Sequence, residues 1–339
     1  MWALQKRLFL LVVALMALVV LAVFLGPRDR IVRNPSLVID GRAVAEVLAL
    51  REAAFDDMTP GVEARVIWAG EPEVQTPLSI LYLHGFSASS EEIRPVPDLV
   101  AAALGANLLF ARLTGHGRDG DALAAARAGD WVNDTALFLD LARKIGEQVL
   151  IIGTSAGGTL AAYAATEPDM AEDVAAIVLI SPSFRLANPA GVLIELGFAR
   201  NYLPYLVGPE SGFEPISDQH AQYWTTRYGS EVLSSLGALM RETRSRDFTA
   251  VDLPVLTLFA DEDQVVSARA TRHLMRKWGG PLTLAPQVLP AKGVHPNAHV
   301  IAGDILSPAM TEPVTQAILD FILSEHVQRD INADDNSKD

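Results

Sequence analysis

The longest unbroken apolar stretch of the chain lies at its beginning. Residues 8–25 read LFLLVVALMALVVLAVFL, without a charge or a proline, preceded by Lys6 and Arg7 and closed by Gly26-Pro27. As a helix rising about 1.5 Å per residue the stretch reaches roughly 27 Å, close to the hydrocarbon thickness of a bilayer. A cleavable signal peptide shares the basic start but has a shorter apolar region and small residues at the cut, which Phe24-Leu25-Gly26-Pro27 does not offer. The pattern predicts an uncleaved signal anchor over 1–30, a single pass through the cytoplasmic membrane, in preference to a cleaved signal or a buried core helix. Lys6 and Arg7 nearly balance Arg28, Arg30 and Arg33 across the span; orientation follows such loop charges, and the reading adopted puts the N-terminus inside and the bulk of the chain on the extracytoplasmic side.

After the anchor, short apolar runs alternate with helix-like stretches, the pattern of an α/β fold with a mostly parallel central sheet flanked by helices. Strands are expected at 62–68, 79–83, 107–111, 148–152, 176–180, 255–259 and 282–289. Several are continuous Val, Ile and Leu runs, as strands covered on both faces require. Helices are expected at 96–103, 131–144, 156–165, 268–277 and 313–326, with Ser267 as an N-cap for the fourth. The interval 183–248 is far longer than a crossover needs and carries Asn201-Tyr202-Leu203-Pro204-Tyr205 and Gln222-Tyr223-Trp224. It predicts an inserted cap of short helices, with 31–182 and 249–328 forming the core and 329–339 a polar, frayed tail.

Composition divides along the same lines. Of 339 residues 50% are hydrophobic and the net charge is −14, which excludes a disordered chain and argues against binding nucleic acid by net charge. The first 33 residues hold five Lys/Arg and one Asp/Glu, leaving 22 against 40, a net −18, on residues 34–339. Hydrophobic excess thus belongs to the anchor and acidity to the domain behind it. With no cysteine in the sequence, disulfides, thiolate zinc sites and cysteine nucleophiles drop out. No His, Asp and Glu cluster at metal spacing, and neither G-x-G-x-x-G nor G-x-x-x-x-G-K-[ST] follows a strand; no metal or other cofactor is expected.

The strongest local signal is Gly153-Thr154-Ser155-Ala156-Gly157, directly after the expected strand 148–152 and opening an alanine-rich helix. A sharp strand-to-helix turn strains the serine backbone and leaves no room for side chains two residues either side, hence the glycines Gly153 and Gly157. Ser155 Oγ is then presented above the sheet, with the N–H groups and dipole of a helix start behind it. A serine nucleophile needs a base oriented by a third group. After 255–259 come Asp261, Glu262 and Asp263, of which Asp263 is the chosen acid and Asp261 the reserve; after the next strand come His295 and His299, of which His299 is the chosen base and His295 the alternative.

With Ser155, Asp263 and His299 in this order, the chain resembles the α/β-hydrolase family over roughly 60–325, and most nearly its bacterial carboxylesterase and monoacylglycerol lipase branch. Leu83-His84-Gly85-Phe86 is similar to that branch's HGF motif, Thr114-Gly115-His116-Gly117 to its GHG turn, Asp130-Trp131-Val132-Asn133-Asp134 to its D-W-x-x-D segment, and Asn297-Ala298-His299-Val300-Ile301 to the surroundings of its histidine. The family's acid usually stands three residues after a glycine; here Ala260 replaces that glycine, a spacing that still points to Asp263. The resemblance implies backbone oxyanion donors at Phe86 and Ala156 and a serine hydrolase cleaving carboxylic esters. Thioesterase, amidase and acyltransferase chemistry use the same triad, and a silent scaffold is the alternative from another class. The aromatic insert and the membrane anchor point to an ester with a hydrophobic acyl group, such as a monoacylglycerol, a lysophospholipid or a medium-chain ester. His84 and His116 are expected to pin turns by hydrogen bonds, and His220, His273 and His326 to serve as ordinary surface or packing residues.

Overall fold

The computed structural model describes residues 2–34 and 41–324. The expected tail at 329–339, His326 and the last two residues of the helix expected at 313–326 lie outside the described residues. The chain opens with helix α1, Trp2–Leu25, whose described side chains are largely exposed, followed by α2, Val44–Glu52. Strands β1, Arg65–Ile67, and β2, Thr76–Leu83, lead to α3, Val96–Leu104, and β3, Asn107–Phe110. Two helices, α4, Gly120–Ala125, and α5, Ala128–Ile145, precede β4, Gly146–Thr154. Then follow α6, Ala156–Ala164, α7, Pro168–Ala171, and β5, Val174–Ile180. Between β5 and β8, Val255–Phe259, lie α8, Ala199–Leu206, β6, Glu210–Gly212, α9, Asp218–Tyr223, β7, Arg227–Gly229, and α10, Leu233–Arg244. The chain closes with α11, Ala268–Met275, β9, Leu282–Pro286, and α12, Thr311–Ile322.

Seven strands form one sheet in the order β1-β3-β2-β4-β5-β8-β9, parallel except for β1, which runs antiparallel to β3 at the edge. Side chains alternate across a strand, so each buried strand feeds two cores. Leu81 and Leu83 of β2 join Val149 and Ile151 of β4 on the face covered by α5 and α6, against which α10 packs, while Ile80, Tyr82, Leu150 and Ile152 pack on the face covered by α3 and α12. This double cover explains why the central strands read as unbroken apolar runs.

The strands expected within 79–259 stand where the apolar runs put them; β2, β4 and β5 are extended by two or three residues through pairing with their neighbours, and β3 stops at Phe110, one residue short. Helix α5 begins three residues earlier than expected, because the Asp130 carboxylate accepts the Arg127 amide at 2.9 Å and closes the first turn. Ser267 caps α11, accepting the Ala270 amide at 3.2 Å. Strand β9 stops at Pro286 rather than 289. The segment between β5 and β8 contains, besides short helices, a two-stranded ribbon of β6 and β7.

Candidate active site

Three loops at the C-terminal ends of the parallel strands meet above the sheet. At the end of β4 the backbone of Ser155 takes φ 52° and ψ −114°, a conformation L-residues avoid and that persists only where the surroundings impose it. The crowding is measurable. A Cβ on Gly153 would stand 2.5 Å from the Gly157 carbonyl oxygen, and one on Gly157 would stand 2.0 Å from the Leu83 carbonyl oxygen. Only glycine lets β4, the turn and α6 close this tightly.

Ser155 Oγ lies 2.9 Å from His299 Nε2, and His299 Nδ1 lies 2.8 Å from Asp263 Oδ2. All three residues are buried. Because the carboxylate can only accept, the imidazole carries its proton on Nδ1 and presents the Nε2 lone pair to the serine hydroxyl. The second carboxylate oxygen of Asp263 accepts the amides of Val265 and Val266 at 2.8 and 2.9 Å, which fixes the side chain after β8. The reserve acid Asp261 points elsewhere: it is exposed and pairs with Arg272, whose hydrogen bonds hold its carboxyl below the usual range. The alternative histidine, His295, makes no hydrogen bond to Ser155; its Nδ1 accepts the Asn297 amide at 3.3 Å.

The loop after β2 carries Gly85 and Phe86. His84 Nε2 accepts the Leu113 amide at 3.2 Å, so the ring is protonated on Nδ1 and donates to the Gly85 carbonyl at 2.9 Å. Burial pushes this imidazole down to about 4, keeping it neutral. His116 Nδ1 lies 3.2 Å from the Thr114 carbonyl and its ring packs on His84 and Trp131. Behind the GHG turn, Asp134 accepts the Thr114 amide at 2.5 Å and Arg51 at 2.8 Å. Ala156 is the first residue of α6, so its amide has no acceptor within the helix. Phe86 lines the cavity onto which Ser155 opens.

A cavity of about 350 Å³ opens onto Ser155 and His299. Its wall is largely apolar, with Phe86, Leu186, Trp224, Leu236, Met240 and Val266, and most of that lining comes from the segment between β5 and β8. The Thr225 amide donates to the Ser87 carbonyl at 2.8 Å, tying this segment to the loop after β2. Two carboxyl groups and one imidazole on the wall do not stand out as site residues from their sequence context: Glu92, Glu214 and His220. Glu92 is buried, and burial pushes its carboxyl up to about 7. His273 is exposed, whereas His220 is buried. Among the described residues, no three His, Asp or Glu side chains are grouped to hold a metal ion.

The parallel sheet with its serine turn after β4, and with histidine and acid on later loops, is that of an α/β-hydrolase of the lipase/esterase branch. The model of the family described as serine aminopeptidase, S33, matches residues 76–283, more than half of the chain, and the chain belongs to that family. It is 26% identical over 190 residues to a thermostable monoacylglycerol lipase of Bacillus sp. (strain H-257), covering 56% of this chain and 72% of the relative. Among solved structures, one from work on the metagenome-derived lipolytic enzymes LipS and LipT superposes with TM-score 0.61 at 22% identity, covering 78% of this chain and 98% of the other. A soluble variant of monoglyceride lipase from Saccharomyces cerevisiae, in complex with a substrate analog, gives 0.58 at 13% identity over 79% and 96%. At these identities the solved structures share the fold.

Proposed function

We propose that this hydrolase cleaves carboxylic esters through Ser155, His299 and Asp263. The reading is carried by the continuous hydrogen-bond relay from Ser155 Oγ through His299 to Asp263, at 2.9 and 2.8 Å. Ser155 Oγ attacks the acyl carbonyl while His299 Nε2 takes its proton, and Asp263 holds the tautomer and stabilises the imidazolium. The developing oxyanion is received by the backbone N–H groups of Phe86 and Ala156, rigid donors that need no reorganisation. Collapse breaks the ester bond, His299 protonates the departing alcohol, and the acyl group remains on Ser155. Water then attacks the acyl-enzyme with His299 as base, releasing the acid and restoring the serine.

The apolar cavity suits a hydrophobic acyl chain, and residues 183–248 act as the cap that encloses it. Monoacylglycerols, lysophospholipids and medium-chain esters are the substrates we favour, the first supported by the named activity of the Bacillus relative. The family's description as an aminopeptidase makes amide hydrolysis the second reading. Helix α1 contains a span, Leu4–Leu25, long and apolar enough to cross a membrane. From Leu8 to Leu21 its described side chains are apolar and exposed on every side, which in a helix indicates a lipid or protein surround. We take it as an anchor in the cytoplasmic membrane with the hydrolase domain on the extracytoplasmic side.

The test is hydrolysis of a short p-nitrophenyl ester and of an aminoacyl p-nitroanilide by the full chain and by Ser155→Ala. Ester turnover that disappears in the variant supports the reading. Turnover that survives it overturns the mechanism, and a preference for the anilide moves the protein to the peptidase side of its family.

A further inference from the structure

Two hydrogen-bond donors stand among the residues that line the cavity, whose wall is mostly apolar. His220, on α9, and His295, on the loop between β9 and α12, both line it, and their rings meet edge to face with centroids 6.0 Å apart. The backbone fixes both tautomers. The Ile216 amide donates to His220 Nδ1 at 3.2 Å, and the Asn297 amide donates to His295 Nδ1 at 3.3 Å. A neutral imidazole whose Nδ1 accepts must carry its proton on Nε2. Burial lowers the affinity of both rings for a second proton, His220 to about 4, so each remains a single donor near neutral pH. Neither Nε2 has a hydrogen-bond partner among the described residues. The His220 ring is also held rigidly, stacked on Phe213 at 5.1 Å and against the edge of Trp224 at 4.7 Å.

Two N–H groups that a ligand would cut off from water are costly unless that ligand accepts from them. An acyl chain cannot, and it has apolar wall at Leu186, Leu236, Met240 and Val266. A hydroxyl or ether oxygen can. We propose that His220 and His295 form a subsite for a hydroxyl-bearing alcohol portion of the ester, a glycerol-like polyol, received by their two Nε2–H groups. The proposal rests on the ester-hydrolase reading above and deepens it: the pair selects the leaving alcohol, while the apolar wall accepts the acid. The subsite joins an element of the inserted segment to the loop that carries the reacting histidine, so it forms only when the two are packed together.

The test compares 1-monolauroylglycerol with ethyl laurate, which share the acid and differ in the hydroxyls of the alcohol. It uses the full-length protein, His220→Phe, His295→Phe and the double variant. Phenylalanine keeps ring packing and removes the donor. The readout is the ratio of kcat/KM for the two esters, from which losses of folded fraction or general activity cancel. The wild-type ratio is expected to favour the glyceryl ester by roughly tenfold or more, and to fall toward one in the double variant. His220→Gln and His295→Gln, which retain an N–H donor, should recover part of it. If the double variant turns over neither ester, the two single variants are read in the same way. A wild-type ratio near one, or a ratio unmoved by the Phe substitutions, overturns the subsite while leaving the esterase reading intact. Absence of Ser155-dependent turnover of any ester overturns the esterase reading and the subsite with it.

Discussion

Oε2 of Glu92 accepts the amide hydrogen of Gly85 at 2.7 Å, placing a buried carboxyl directly beneath the turn that leads into Phe86. The same oxygen accepts the Tyr82 hydroxyl at 3.1 Å, and the Gly85 backbone leaves so little space that a Cβ there would stand 2.6 Å from Glu92 Oε1 and 3.1 Å from Ser155 Cβ. Burial raises this carboxyl from 4.5 to about 7, outweighing the Gly85 hydrogen bond that favours ionisation.

A raised acid pKa has a definite thermodynamic sign. Between the unfolded value and about 7 the folded chain binds the proton more tightly, so this group's contribution to stability is complete below about 4.5 and declines as pH rises through 7. The full difference is on the order of 3 kcal/mol. Glu92→Gln keeps an acceptor for the Gly85 amide and does not ionise. Its stability relative to the wild type should therefore improve steadily from pH 5 to pH 8, as read from thermal unfolding at each pH. Parallel curves for the two proteins would show that the carboxyl does not titrate in this window.

The two acids after β8 should separate cleanly. In Asp263→Asn the amide nitrogen can donate to His299 Nδ1, which favours the tautomer protonated on Nε2 and leaves no lone pair for Ser155. By analogy with triads of this geometry the loss in kcat is on the order of 10⁴-fold. Asp261→Asn breaks only an exposed pair with Arg272, worth under about 1 kcal/mol, and should hydrolyse esters nearly as the wild type does. Steady-state rates on one p-nitrophenyl ester decide the matter, and equal losses in both variants would remove Asp263 from its assigned role.

Gly157→Ala tests the crowding at the serine turn. The added Cβ would press on the Leu83 carbonyl at 2.0 Å and on the His84 carbonyl oxygen at 2.7 Å. Both are backbone atoms of buried structure and cannot swing aside, so strain of about 2 kcal/mol or more is expected, with loss of the serine geometry. Gly70→Ala is the control, since its Cβ meets nothing within 4 Å. A several-degree fall in melting temperature for the first, and none for the second, is the expected result in differential scanning calorimetry.

What the sequence made legible follows from how local the controlling physics is. The central strands announced themselves because both of their faces are covered, and the serine turn did so because its glycines are a local steric requirement. Strand β1 was expected at 62–68 and forms only over Arg65–Ile67, since only three of its residues find partners on β3. The ribbon of β6 and β7 is three residues on each side, too short for alternation to register. Glu92 was illegible for a different reason. Ser89 caps a turn that begins Ser90-Glu91-Glu92, and acids in a first turn normally face water. Glu91 does pair at the surface with Arg65 and Arg94, while its neighbour turns inward to Gly85. In the sequence His295 stands only as a rival base, and His220 as an ordinary surface or packing residue, because the cavity they share is made by segments 75 positions apart.

The junction between α1 and the segment following β5 carries one more prediction. The Gly197 and Phe198 amides donate to the carbonyls of Val23 and Pro27, each at 2.7 Å. Just beyond, Asp29 Oδ2 accepts the hydroxyls of Ser234 and Ser235 at 2.7 and 3.2 Å, Oδ1 accepts Arg127 at 3.2 Å, and the Asp29 carbonyl accepts Arg241 at 2.7 Å. The α1 exit is thereby latched to α8 and α10 rather than joined by a free linker. Asp29→Ala removes a carboxylate shared by four donors, counting Arg200 at 3.6 Å; Ser234 and Ser235 keep the Glu231 and Ala126 carbonyls as acceptors, so the cost is about 1 kcal/mol, borne locally. Amide hydrogen exchange of the full chain in micelles should then accelerate at Gly26, Gly197 and Phe198, whose amides are hydrogen-bonded at the junction, with the β4 and β5 amides unchanged. Asp29→Asn, which keeps one oxygen acceptor, should fall between the two. Exchange at Gly197 and Phe198 that is already fast in the wild type, or identical in Asp29→Ala, would show that the latch does not hold the junction in solution.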